Sequence, residues 1–220
     1  MLLQQLLSPD MPTGAPSDNI DYISSLFFAS KLQQLPMVDD GRYLGLLEEK
    51  DLLALQDEPE GLYEHSYENF RPAISINAHP FEALRIIHQH GLSVLPVLND
   101  EQEYAGSLTK EDLVSYLIEN MGIDVTGGII VLEMEPRNYS LSQVARICEN
   151  EQVLILGAQV KTNVLTSKLE LTIKTNTTDL SAVVQALERF EYTVLDTYGD
   201  QKIENDIVDR YKLLMNYINM

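Results

Sequence analysis

The sequence is poor in cysteine, in basic residues and in long apolar runs. Cys148 is the only cysteine among 220 residues, so no disulfide can form within the chain. Its setting, LSQVARICEN, reads as a helix carrying a buried, inert thiol. No apolar stretch approaches the roughly 20 residues that a membrane helix requires. The opening MLLQQLLSPDM lacks the basic flank and the length of an export signal, so the expectation is a cytoplasmic protein. Lys and Arg number 15 against 34 Asp and Glu, a net charge of −19. The deficit is uneven: residues 1–122 hold 6 basic and 20 acidic side chains, residues 123–220 hold 9 and 14. Neither part offers a basic face to a phosphate backbone, which argues against nucleic acid as a partner. An anionic membrane surface is disfavoured for the same reason. Also missing are the G-x-x-x-x-G-K-[ST] phosphate loop, the G-x-S-x-G elbow and a Cys–His nucleophile. The chain therefore reads as a non-enzyme with no required cofactor. His79, His88 and His90 lack the i, i+4 spacing of a helical metal site, so no metal is expected.

What is present is an ordinary globular content of 45% hydrophobic residues, enough to bury a core, and a repeat. Residues 35–53 read LPMVDDGRYLGLLEEKDLL and residues 95–114 read LPVLNDEQEYAGSLTKEDLV. Leu35-Pro36 aligns with Leu95-Pro96, Gly45 with Gly106 and Asp51 with Asp112. In each copy a short apolar strand runs into a polar turn, Asp39-Asp40-Gly41 in the first. The chain returns through a glycine where a neighbouring backbone needs room, and a helix follows near Glu48 or Thr109. Upstream, residues 20–32 place Ile23, Leu26, Phe27 and Ser30 on one helical face. Residues 80–92 do the same with Ala83, Ile86, Ile87 and His90, and Pro80 suits a first helical turn. Each unit is thus strand, helix, strand, strand, helix, and neither covers its sheet alone. The stretch DEPEGLYEHSYENF between them reads as an exposed acidic connector. Tyr22, Tyr63, Tyr67, Tyr104 and Tyr116 read as core or rim residues.

These two segments resemble the CBS motif, an LPV-type strand followed by G-h-h-[ST]-x-x-D, where h is apolar. The second copy carries Gly106, Ser107, Leu108, Thr109 and Asp112, departing at Ser107. The first carries Gly45, Leu46, Leu47, Glu48 and Asp51, departing at Glu48. The resemblance covers residues 1–121, with motifs at about 1–56 and 70–121. It implies a CBS pair whose cleft takes an adenine nucleotide or adenosine. Thr109 and Asp112 would hold the ribose, and Lys110, Ile76 and Asp51 complete the expected ligand set. A second reading stands beside this one: Thr109-x-x-Asp112 is also an ordinary capping box, and both roles can coexist. The residues before Leu-Pro, which face phosphates in nucleotide-binding relatives, are Gln34 and Val94. With a second carboxylate at Glu48, the chain favours a ligand of low charge.

After Gly122 the pattern changes. Strand IIVLEM (129–134) leads into the turn Pro136–Tyr139. Ser140 can cap a helix bearing Leu141, Val144, Ala145 and Cys148. Strands follow at 153–162 and 168–175, the latter alternating Leu169, Leu171 and Ile173 with polar residues. Thr178 or Asp179 can cap a second helix with Leu180, Val183, Val184 and Leu187, and a strand at 192–198 closes the unit. This βαββαβ order is the ferredoxin-like plan, and residues 122–200 resemble an ACT domain. That resemblance implies pairing with a second subunit, or an amino-acid site in the turn Arg137, Asn138, Tyr139 and Ser140. A CBS pair followed by an ACT-like unit is the arrangement of bacterial acetoin-utilisation accessory proteins. In residues 201–220, Ile203, Ile207, Tyr211, Leu214 and Ile218 share one helical face, suited to packing on its own domain or on a second subunit. The fold expected is α+β, a CBS pair, an ACT-like domain and a C-terminal helix. The function expected is a ligand-sensing regulator working as a homodimer or with a protein partner; the alternatives are a constitutive interaction module and an amino-acid-binding regulator.

Overall fold

The computed structural model describes residues 3–8, 11–55, 67 and 70–199. The tail and most of the acidic connector, with Tyr63, lie outside them. The chain is mixed α/β and divides into two compact units, Met1–Tyr116 and Leu117–Met220.

The first unit holds both copies of the repeat. Helix α1 (Ile20–Ser30) opens on Asn19, whose side chain accepts the Tyr22 N–H, the standard use of Asn at an N-cap. It buries Ile23 and Phe27. Strands β1 (Gln34–Asp39) and β2 (Arg42–Glu48) form an antiparallel hairpin. Its turn puts Asp40 at φ 46° and Gly41 at φ 78°, positive at both central positions as tight hairpins require. Helix α2 (Glu49–Leu55) follows. The second copy begins with β3 (Ile74–Ser75), then α3 (Pro80–His90), β4 (Val94–Leu98), β5 (Tyr104–Thr109) and α4 (Lys110–Asn120). β3 lies parallel to β4, and β4 antiparallel to β5. In α3, Pro80 takes the first turn and Gly91 the left-handed C-cap, as their backbones allow.

The lead-in strands are shorter than the expected pattern. That of the first copy is one parallel bridge, Gly14 to Met37, and that of the second is β3, Ile74 against Val97. Each copy also takes chain from the region leading into the other. Ser8 bridges to Ser107 on β5, while the Leu46 N–H of β2 donates to Phe70 O. One core mixes both copies, with Leu3, Leu32, Tyr43 and Leu46 packed among Ile74, Leu92, Leu95, Leu108 and Leu113. A second core sits under α1, from Ile23, Phe27, Leu35, Met37, Leu47 and Leu52.

In the second unit, β6 (Ile129–Met134), α5 (Leu141–Asn150), β7 (Ile155–Thr162), β8 (Leu169–Thr175), α6 (Ser181–Arg189) and β9 (Thr193–Tyr198) follow in that order. The four strands form one antiparallel sheet ordered β7-β8-β6-β9. One face, bearing Ile130, Leu132, Leu171 and Ile173, forms a core with Val144, Ile147, Cys148, Val183 and Leu187 of the helices. The strand period of two sends Ile129, Val131, Thr172 and Lys174 to the other face. Ser140 Oγ accepts the Gln143 N–H and caps α5. α6 starts differently from the sequence expectation. Its cap residue is Leu180, without a side-chain cap bond. Asp179 instead closes a local turn, Oδ1 accepting from Ser181 N and Oγ at 3.1 and 2.5 Å. Among the described residues, no helix is long and apolar enough to cross a membrane.

Candidate functional site

The site is built where the second hairpin hands over to α4. Thr109 ends β5 opposite Val94, and its Oγ1 accepts the Asp112 N–H at 3.1 Å. Asp112 Oδ2 accepts from Thr109 N at 2.8 Å and from Thr109 Oγ1 at 2.7 Å. This is a reciprocal capping box, and it uses one carboxylate oxygen. The first turn of α4 gives the corner a polar edge at the positive end of the helix. Thr109 and Asp112 are both half-buried, so the edge is reachable yet partly shielded from water.

The corresponding corner of the first copy is wired differently. Glu48 ends β2 opposite Gln34, and its carboxylate pairs with the exposed Lys50 rather than closing a box on Asp51. Between the two corners runs a polar seam. Gln34 Oε1 accepts from Ser93 N at 2.8 Å and from Ser93 Oγ at 2.7 Å, while Ser93 Oγ accepts from Gln33 N and Gln34 N at 3.1 and 3.3 Å. Gln34 is 6% exposed. It is therefore engaged in joining the copies rather than facing a ligand, and Val94 is fully buried. The sequence shows Gln34 as a polar residue in a buried strand, but Ser93, its partner, carries no local signal.

A second tie joins the copies at the hairpin ends, where Tyr104 N donates to Gly41 O at 2.8 Å. Tyr43 and Tyr104 occupy matching places. Tyr43 Oη donates to Pro72 O at 3.0 Å, and Arg71 Nη2 donates to Tyr43 O at 2.9 Å. Tyr104 Oη and Ser107 Oγ lie 2.8 Å apart. Burial pushes both phenols up; Arg71 opposes this at Tyr43, and the Ser107 bond at Tyr104.

Ile76 and Lys110 do not converge on Asp112. Ile76 follows β3, its N–H donating to Leu98 O, whereas Thr109 pairs with Val94 at the other end of β4. Four residues of strand, about 13 Å, separate those positions. Lys110 is two residues from Asp112 on α4, so the two point to different sides. It lines a groove of about 320 Å³ with Leu84, Ile87, His88 and Leu113. Asp51 lies in the first turn of α2. His79 caps α3 by accepting the Phe81 N–H, and His90 meets the Phe70 ring edge-on.

In the second unit, Pro136–Asn138 form a single 3-10 turn, and Arg137, Asn138 and Tyr139 are exposed. Asn138 lines a polar cavity of about 420 Å³ with Glu133, Glu135, Gln143, Lys168 and Tyr192. Lys168 Nζ donates to Glu133 Oε1 at 2.6 Å, and that bond, with the nearby Glu135, holds the ammonium above its ordinary range. Cys148 is fully buried and its thiol is pushed up by burial, which keeps it unreactive.

Comparison with known proteins places a CBS domain in this chain: residues 71–119 match the family model of that description. A CBS domain-containing protein of Dictyostelium discoideum is 25% identical over 134 residues, covering 54% of this chain and 92% of the relative. Among solved structures, a CBS domain pair/ACT domain protein from Thermotoga maritima is similar at a TM-score of 0.48 and 21% identity, over 54% of this chain and 98% of that one. CBSX2 in complex with AMP is similar at 0.44 and 22%, over 54% and 96%. The CBS domain pair of protein MJ0100, in complex with 5′-methylthioadenosine and S-adenosyl-L-methionine, is similar at 0.44 and 19%, over 53% and 99%.

Proposed function

We propose that this chain is a non-catalytic regulator whose two repeat copies form a CBS pair that binds an adenine-containing metabolite of low charge. The observation that carries this reading is the corner at Thr109 and Asp112. There Asp112 Oδ2 closes a box on Thr109 at the N-terminal end of α4, so that a carboxylate and a helix start meet at one corner. A ribose diol donates two hydroxyl hydrogens, and a half-buried carboxylate is the acceptor that suits it. Glu48 and Asp51, at the matching corner, oppose a polyphosphate. Binding shifts the packing of the copies only by its difference in affinity for two arrangements. The Gln34–Ser93 and Tyr104–Gly41 ties are the contacts that such a shift would alter. We place the chain in the cytoplasm, where adenine-containing metabolites are abundant.

Calorimetric titration of the full chain tests it. Adenosine is expected to bind at least as tightly as AMP, and AMP more tightly than ATP. Asp112→Asn should weaken adenosine by about tenfold while keeping a competent cap. A flat titration with all three compounds removes the reading.

A second proposal concerns the βαββαβ unit, which we read as ferredoxin-like, ACT-like and self-pairing. It is supported by the exposed outer strand β7 and the hairpin tip, where Val164 and Leu165 are 91% and 95% exposed. An open strand edge is a template for a second chain. Light scattering should give a dimer that Leu165→Asp weakens; a monomer at every concentration removes this part. Amino-acid capture at Arg137–Ser140 is the weaker alternative, since Ser140 Oγ already caps α5.

A further inference from the structure

We infer that the face of the second unit's sheet turned away from α5 and α6 holds a binding pocket for a small apolar monocarboxylate. The cavity measures about 260 Å³ and is lined by Met121, Ile123, Ile129, Gly157, Gln159, Thr172 and Lys174. Its floor comes from three adjacent strands. Gly157 of β7 faces Lys174 of β8, which faces Ile129 of β6, and Gln159 faces Thr172 in the next row. All five have the strand parity opposite to the buried Ile130, Leu171 and Ile173, so they point away from α5 and α6.

Met121 and Ile123 come from the connection 121–128, which is pinned at both ends. At the near end, a Cβ on Gly157 would lie 2.8 Å from Met121 O, and one on Gly122 would lie 2.9 Å from Leu156 Cβ. The missing side chains let this segment lie flat on the sheet edge. Gln159 Nε2 approaches Met121 Sδ at 3.5 Å. At the far end, Lys174 Nζ donates to Gly127 O at 2.9 Å, and Thr175 Oγ1 to Gly128 O at 3.1 Å. Between the pins, Ile123 lines the cavity.

The lining sets the ligand class. The walls are the side chains of Met121, Ile123 and Ile129 and the stem of Lys174, and the polar groups are few, as in small-molecule sites generally. Among the described residues, Lys174 is the only charged one in the lining. Its ammonium has three donors, one of them on Gly127 O. The Thr172 hydroxyl lies two residues away on the same face. A carboxylate between them gains charge-assisted bonds, and its hydrocarbon covers the apolar wall. A cavity of this volume holds about eight or nine heavy atoms at roughly 30 Å³ each, the size of hexanoate. A cation of the same shape would meet Lys174 head-on.

Hexanoate, hexan-1-ol and hexylamine, titrated against the full chain by calorimetry, separate charge from hydrophobicity. Hexanoate should saturate with a Kd of about 0.1–1 mM, hexan-1-ol should bind at least several-fold more weakly, and hexylamine should not bind. Methyl NMR shifts should centre on Met121, Ile123 and Ile129. Lys174→Gln should weaken hexanoate by about tenfold, and Thr172→Phe, which fills the cavity from the solvent side of the sheet, should abolish binding. Far-UV circular dichroism verifies that both variants fold. The inference is overturned if hexanoate fails to saturate below about 10 mM, if hexylamine matches it, or if folded Lys174→Gln binds unchanged. It stands apart from the adenine reading: Lys174→Gln should leave adenosine titration unaltered.

Discussion

The two copies of the repeat share a hairpin register but differ in how each glycine and each helix start is used, and the differences separate packing from ligand chemistry. Gly45 and Gly106 align in sequence, yet they are constrained by different things. A Cβ on Gly45 would fall 1.9 Å from Tyr67 O, a backbone atom that cannot yield. Gly106 meets only the Leu7 side chain, at 3.6 Å or beyond, but holds φ at 142°. One glycine is required by a neighbouring chain and the other by its own backbone. Gly45→Ala is therefore expected to have the largest effect of the changes at these matched positions. It should cost at least about 4 kcal/mol or prevent folding, whereas Gly106→Ala should cost about 1–3 kcal/mol. Urea unfolding of the two variants measures the gap, and equal losses would show that the copies are equivalent at this position.

The seam gives the next effect. Gln34 Oε1 receives two hydrogen bonds from Ser93 inside a buried strand contact. Gln34→Ala leaves the Ser93 N–H without its acceptor and should cost about 2–3 kcal/mol. Ser93→Ala keeps that N–H bonded but takes the hydroxyl acceptor from the Gln33 and Gln34 N–H groups, and should cost about 1–2 kcal/mol. A larger loss from Ser93→Ala than from Gln34→Ala would mean that the hydroxyl, rather than the amide, holds the copies together.

At the helix starts the comparison bears directly on the candidate site. Asp112→Ala removes the acceptor that closes the box with Thr109 and should cost about 1 kcal/mol. Asp51→Ala, at the matching place where Glu48 pairs with Lys50 instead, should cost less than about 0.5 kcal/mol. If Asp112→Ala abolishes adenosine binding and Asp51→Ala leaves it intact, the ligand sits at the second corner alone.

How much of this was readable in the sequence follows from the range of each signal. The turn at Asp40-Gly41, Pro80 at the start of α3 and the Ser140 cap are local, and the structure has each of them. The Thr109–Asp112 box is local too, so its geometry was legible, while the ligand role proposed for it comes from resemblance. The crossing of Ser8 to Ser107 and of Leu46 to Phe70 was not legible. These are pairings between short, aperiodic segments remote in sequence, and a strand period says nothing of its partner. The same limit explains Ile76: an offset of 60 residues aligns the copies but does not reveal that β4 separates Ile76 from Thr109. At α6, Asp179 offered a cap signal, but its oxygen closes a turn on Ser181 and the helix begins one residue after Leu180.

The smallest contrast is between the matched tyrosines, and it is read through pH. Burial raises the Tyr43 phenol well above its ordinary value of 10.0, and Arg71 only partly offsets this. The neutral phenol is thus the form the fold accepts, and its Oη donates to Pro72 O. In the unfolded chain Tyr43 ionises near pH 10, while in the folded chain it does not. Stability from this group is therefore complete below pH 10 and falls as pH rises above it. Tyr104 is raised in the same direction, but its bond to Ser107 lowers it, so its share of the alkaline loss should be smaller. Tyr43→Phe should cost about 1 kcal/mol at neutral pH through the lost bond to Pro72, and should flatten the decline between pH 10 and 11.5. Tyr104→Phe should flatten it less. Thermal unfolding of the three proteins across that window ranks the two phenols; if Tyr104→Phe flattens the curve more than Tyr43→Phe does, the second copy carries the more costly phenol.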